Sequence, residues 1–426
     1  MINKKTNRLL SSILGVALTT GIIQVPAFAD DNVQVTSSYS SNANLTEDKT
    51  NIENKDKSIE QNGLKISANK IIASKHKLKA TIIVQNEKSF DNTKRPNAQV
   101  LLSYGDNKLS GQSMSYDYKD DKTLVITVTR TVTKEELPEK GPLRIDVVIP
   151  QYKINLGIDE DMDFSDSFNN SIEKDLLINL PDCNFTLNKF ESNILGTQIS
   201  YSKPEKDFSD IKYSLSDHPN LILKVGDKMY RLRPAGAYSS GNEKDDKVML
   251  GGYESESANY EKVKDQNNIS VIPIICNMTS DELVNHYKET YKNYNNSQDN
   301  NNNKELLNNV YYTKSIDFSD GSTGQIYNVE RNDDVIKVYC KGSTEKESFL
   351  MASNTNIHYK SDESKIYNSY YSGNTRITFS KDPKDSIGYI VEFTGVDKDK
   401  TVELTCDNLI KQIDKYQIGD EIQLSK

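Results

Sequence analysis

A chain of 426 residues has room for two or three domains of ordinary size, and 62 acidic against 53 basic residues leave a formal net charge of −9. That balance argues against a nucleic-acid partner, whose affinity comes largely from Lys and Arg on phosphates, and against adhesion to anionic lipid.

Residues 1–29 carry the most specific pattern. Lys4, Lys5 and Arg8 form a basic start, residues 9–25 an apolar stretch interrupted by Ser and Thr, and Ala27-Phe28-Ala29 a small-x-small pattern before Asp30. This is the order of a signal peptide cleaved between Ala29 and Asp30. As a retained membrane span, an apolar stretch of about 17 residues is marginal. No Cys follows it directly, which argues against a lipid anchor, and no second apolar run is long enough for a bilayer. The mature protein is expected outside the cell, with no stable membrane anchor, released or held at the wall by contacts. Residues 30–62 are rich in Asn, Ser, Thr, Asp, Glu and Lys, the composition of a disordered linker.

Residues 63–85 read as a β-hairpin. Two apolar runs, 64–73 and 78–84, flank the polar hinge Ser74-Lys75-His76-Lys77, whose basic residues are expected to be exposed turn residues. Short alternating runs follow at 98–104, 109–118, 122–132 and 143–149, with Leu124, Ile126 and Val128 on one face of the third. Such spacing without strand–helix alternation predicts a first β-sandwich module of immunoglobulin type over 63–158. Residues 159–173 read as an acidic linker. Asp159, Asp161, Asp163 and Asp166 begin like a calcium loop, but Phe164 stands where Gly is needed and Asn170 where the bidentate Glu belongs. A solvated linker is the expectation.

A second β-rich module is predicted over 174–426. It opens on an echo of the first hairpin at 185–201. There Asn188-Lys189-Phe190 answers Asn69-Lys70-Ile71, and Leu195, Ile199 and Tyr201 answer Leu78, Ile82 and Val84. The recurrence points to tandem modules. Residues 221–232 form a hairpin around Gly226-Asp227. Residues 269–276 are apolar on both faces, as in a buried strand, although Pro273 draws them toward an edge or a bulge. Thr279-Ser-Asp-Glu282 is a capping box that opens a helix with the stripe Leu283, Tyr287 and Tyr291. An Asn-rich loop fills 293–303, and candidate strands recur to residue 406, among them 348–352. The excursion at about 234–365 is long enough to be a third domain. The predicted class is all-β: tandem immunoglobulin-like β-sandwich modules with one short helix in the C-terminal region.

Residues 192–201 (SNILGTQISY), preceded by Asn188-Lys189-Phe190-Glu191, resemble the opening signature of the domain-of-unknown-function family 5643. The block around 65–84 resembles the extracellular part of family 4179, which commonly precedes it in Firmicute surface proteins. The resemblance implies a β-sandwich ectodomain, usually of a membrane-anchored, anti-sigma-factor-like regulator. It brings no catalytic residue and no ligand with it. The chain departs from the family in carrying a cleavable-looking signal in place of a cytoplasmic segment and membrane anchor.

Cys183, Cys276, Cys340 and Cys406 each fall on an apolar register, which predicts buried thiols. An exported chain also oxidises such pairs, and three pairings are open. There is no CxxC for zinc. His76, His218, His286 and His358 are scattered, Glu282 and His286 do not follow the HExxH order, and no Ser sits in a G-x-S-x-G elbow. Tyr367, Tyr370 and Tyr371 fit half-buried strand positions or an exposed recognition patch. No enzyme, cofactor or metal is therefore expected. The expected function is a secreted or surface-associated binding module, protein-binding or envelope-sensing, whose partner is an envelope protein or a cell-wall component. The alternatives are a structural spacer or adhesin, and an envelope hydrolase.

Overall fold

The computed structural model describes residues 34–36, 58–91, 97–105, 112–132, 136–180, 184–204, 219–240, 248–296, 304–360, 375–406 and 408–424. The cleavage residues Ala27, Ala29 and Asp30 lie outside them, as do Cys183, His218 and the tyrosine run at 367–371. Among the described residues no helix is long and apolar enough to cross a membrane.

The chain is all-β, built from sheets that are antiparallel but for the parallel pair Val310–Thr313 with Val402–Cys406, with a few helices between them. The first module is a two-sheet sandwich. One sheet runs Ser58–Gln61, Leu64–Ala73, Lys77–Asn86, Thr123–Thr131, Gln112–Asp120, and the other Gln99–Tyr104, Lys140–Ile149, Ile154–Asp163. Period-two alternation explains the pairing: Ile66, Leu78, Ile82, Val84, Ile126, Val128, Ile145 and Val147 all point into one core, and each is fully buried. The predicted hairpin forms, with Ile66 opposite Val84 and Ala73 opposite Leu78.

Four boundaries differ from expectation. The segment 30–62 is not unstructured throughout, since Gln34–Thr36 and Ser58–Gln61 are strands. Asn62 and Gly63, both at positive φ (51° and 79°), make the two-residue turn that pairs Ser58–Gln61 with the next strand. The acidic stretch is no linker either. Asp159, Asp161 and Asp163 line the solvent face of Ile154–Asp163, and Lys140 and Arg144 on the facing strand pair with Asp163 (2.7 Å) and Asp159 (3.1 Å). Alternation places these acids beside cations, not around a loop. The first module then continues through the helix Ser165–Asn169, which carries Phe168 into the core beside Phe164.

The hinge is the third difference. Ser74 is buried, and Lys75, His76 and Lys77 are half-buried. Lys75 lies between Glu136 of the first module (3.6 Å) and Glu173 of the second (3.3 Å), and Lys77 reaches Glu254 of the second.

Beyond residue 171 two cores share one set of strands. Asn220–Val225, Lys228–Ser240 and Ile269–Cys276 send alternate residues to opposite sides: Leu221, Leu223, Tyr230, Leu232, Val271 and Ile275 enter one core, and Ile222, Met229, Ile274 and Cys276 the other. This is why ISVIPIIC is apolar on both faces. Pro273 sits where the outer neighbour is broken, between Tyr416–Ile418 and Ile422–Gln423. Its carbonyl accepts from Gly419 N on that side (2.8 Å), so the missing N–H costs no bond to Asn220–Val225. The excursion 234–365 is not a separate domain, because Thr323–Asn332 and Val335–Lys341 belong to the same sheet as Tyr389–Thr394 and Arg376–Lys381.

Both hairpins form, but the echoed residues do not share a register: Ile82 pairs with Ala68, whereas Ile199 pairs with Phe190, the counterpart of Ile71. Phe185–Asn193 pairs with Gly196–Pro204, and a bulge falls at Asn188, as one falls within Asn69–Ile72 in the first hairpin. The predicted helix spans Ser280–Asn296 with its capping box formed: Glu282 accepts from Thr279 N (2.8 Å), and Thr279 Oγ1 accepts from Glu282 N (3.3 Å). It is not the only helix of the region. Residues 348–352, expected as a strand, lie in the helix Glu345–Asn354, which starts on the N-cap Thr344: its Oγ1 accepts from Glu347 N (3.2 Å), while Glu347 accepts from Ser343 N (2.6 Å).

Glu282 also accepts from Lys415 (2.8 Å), which together with the cap bonds holds its carboxyl well below the ordinary 4.5, at about 2. A carboxyl depressed on folding stabilises fully above its unfolded value and loses that contribution as pH falls toward the folded one. The Glu282→Gln variant is therefore less stable than the parent at neutral pH, and the two acid-unfolding curves converge as pH drops from about 4.5 to about 2. Parallel curves across that window sink the assignment.

Candidate functional site

The described structure draws no catalytic group together. Cys276 and Cys340 are buried thiols and Cys406 is half-buried, each on the apolar register expected of it. Burial pushes the Cys340 thiol far up, so it is not a nucleophile at neutral pH. Cys406 Sγ lies 3.4 Å from Thr355 Oγ1. His358 stands 3.7 Å from Glu403, and burial, helped by the nearby Lys304, lowers its pKa. Glu282 is committed to Lys415 and to its helix cap, which leaves the Glu282–His286 spacing without a catalytic geometry. No group of three or more His, Cys, Asp or Glu able to hold a metal occurs among the described residues.

One concave feature among the described residues is an open depression of about 360 Å³ lined by Asn308, Asn309, Arg331, Asp333, Lys398 and Asp399. Three turns build it. Asn308 and Asn309 both have positive φ (51° and 58°) and form the two-residue turn joining Lys304–Leu307 to Val310–Thr313. Asp333, also at positive φ, joins Thr323–Asn332 to Val335–Lys341. The third turn, around Lys398 and Asp399, is stapled from below by Arg331, which donates to the carbonyls of Asp397 (2.7 Å) and Lys400 (2.8 Å). Arg331 thus holds the floor, while Asp333, Lys398 and Asp399 are exposed on the rim. A polar, open hollow with charges of both signs suits a hydrophilic chain or surface better than an apolar small molecule, whose sites are largely apolar and enclosed. These residues carry no motif. An Asn-Asn and an Asp-Asp pair between alternating runs were the legible turn signals, but their convergence is tertiary.

A second polar feature lies deeper. Arg231, half-buried on Lys228–Ser240, donates to Asn356 Oδ1 (2.6 Å), to the carbonyl of Ala352 (3.0 Å) and to the carbonyl of Thr355. Burial pushes its guanidinium down to about 10, which leaves it charged at neutral pH. Three acceptors on one turn make it a structural staple.

No protein-family model and no curated protein matches the chain. Among solved structures it is similar to the crystal structure of the conserved domain protein from Bacillus anthracis, at 16% identity over 52% of this chain and 77% of that one, with a TM-score of 0.37.

Proposed function

We propose that the chain is a secreted or surface-associated β-sandwich protein that acts by binding a hydrophilic component of the cell envelope. The observation that supports this best is the open depression with Asp333, Lys398 and Asp399 on its rim. Rigid hairpins position these charges, and binding residues are commonly carried on loops set on such a scaffold. The signal segment at 1–29 and the resemblance of residues 188–201 to an ectodomain family agree with a location outside the cell.

The test uses residues 30–426 and purified cell wall. The protein binds wall, and the variant Asp333→Lys, Lys398→Glu, Asp399→Lys binds at least about tenfold more weakly, since an exposed charge pair contributes about 0.2–1 kcal/mol and three charges are reversed together. Equal binding by both proteins moves the site elsewhere and favours a spacer or adhesin. Soluble products released from peptidoglycan or casein overturn the binding reading in favour of a hydrolase.

A further inference from the structure

The hinge of the first hairpin is one half of an ionic contact between the two modules. The sequence Lys75-His-Lys77-Leu-Lys79 places three lysines at alternate positions, and Glu254-Ser-Glu256 places two glutamates likewise on the second module. Lys77 Nζ is 2.6 Å from Glu254 and Lys79 Nζ 2.8 Å from Glu256. Lys75 lies 3.3 Å from Glu173, which also holds Lys189 at 2.6 Å. The side chains of Lys77 and Lys79 are only about a quarter exposed, so these cations are drawn against the second module and not extended into water.

Among the described residues the two modules keep separate sheets and separate cores: no strand of the first belongs to a sheet of the second, and the first core ends at Phe168 while the next begins beyond it. The covalent link between Ser165–Asn169 and Ile172–Leu180 is Asn170 and Ser171 alone. Between domains, relative motion is the default unless the interface is large and hydrophobic.

We infer that Lys75, Lys77 and Lys79 with Glu173, Glu254 and Glu256 form an ionic latch, and that opening it frees the first module to swing about Asn170–Ser171. Because the pairs are partly exposed, salt screens them, and they weaken together as ionic strength rises. The closed and open states differ in the angle between the modules, with both cores intact.

The experiment uses residues 30–426. At low ionic strength a carbodiimide, which joins only amines and carboxylates already in contact, links Lys77 to Glu254, and mass spectrometry maps the peptide. At about 1 M salt, where the screening length falls to about 3 Å, the yield drops at least tenfold and X-ray scattering shows a larger maximum dimension. The variant Lys77→Glu, Lys79→Glu scatters as the open form at every salt concentration, and adding Glu254→Lys, Glu256→Lys restores the closed one. Cross-link yield and dimensions that ignore salt overturn the latch, as does a folded Lys77→Glu, Lys79→Glu variant that scatters like the parent. If that variant does not fold, the salt series on the unaltered protein still decides.

Discussion

Gly196→Ala destabilises the region from residue 172 onward by about 3 kcal/mol, while the first module keeps its stability. Gly196 closes the turn between Phe185–Asn193 and Gly196–Pro204 at φ +132°, a conformation that L side chains rarely adopt. A Cβ there would stand 2.3 Å from the carbonyl oxygen of Ser255 and 2.9 Å from Glu256 Cα. Both obstacles are backbone, so no side chain can turn aside. Neither strand can retreat: Thr197 pairs with Ser255 and donates its buried hydroxyl to the Ala258 carbonyl (2.6 Å), and Tyr201 and Tyr253 pack with Phe185 behind them. Strained φ costs about 1–3 kcal/mol and forced overpacking about as much again. Gly63 is the control, because its φ is +79° with nothing within 4 Å of an added Cβ, so Gly63→Ala meets only the turn strain. Native-state hydrogen exchange separates the two. In the Gly196 variant peptides from 185–204 and 248–255 lose protection and those from 64–86 do not. Equal losses in both variants, or a loss spread evenly over both modules, sink this account.

What was legible in the chain was local. Alternation alone placed Lys77–Asn86 and Thr123–Thr131 correctly, because one buried face fixes the register of a strand. The capping box at Thr279 marks its helix, while the spacing of Thr344 and Glu347 is the same cue before 348–352, a run that looks like a strand by periodicity alone. Asn62-Gly63 is a strong hairpin cue inside a segment whose composition reads as disordered, and the cue won. The hinge lysines could not be assigned from sequence, since alternation gives them a common side and nothing says what covers it. Their partners at 254 and 256 lie 177 residues away, and each such pair contributes only about 0.2–1 kcal/mol. The rim of the depression was equally hidden, because its three turns converge only once two hairpins and Val402–Cys406 have docked.

Arg231→Lys should split the unfolding of the C-terminal region into two transitions. Lys228–Ser240 is one of three strands common to both cores, and at Arg231 it meets the junction between Glu345–Asn354 and Thr355–Tyr359. The planar fork satisfies Asn356 Oδ1 and the carbonyls of Ala352 and Thr355 at once. An ammonium keeps the charge but presents a single nitrogen on a flexible stem, so at least one of these acceptors loses its donor. A buried acceptor left without a donor costs about 1–3 kcal/mol. The loss falls on the junction between helix and sheet rather than within either core. Urea unfolding followed by tyrosine emission and by exchange at 345–359 should then show that junction opening ahead of the strands at 221–232. If Arg231→Lys lowers the midpoint but leaves one coincident transition, the two cores unfold as a unit through their shared strands and the guanidinium is not what couples them.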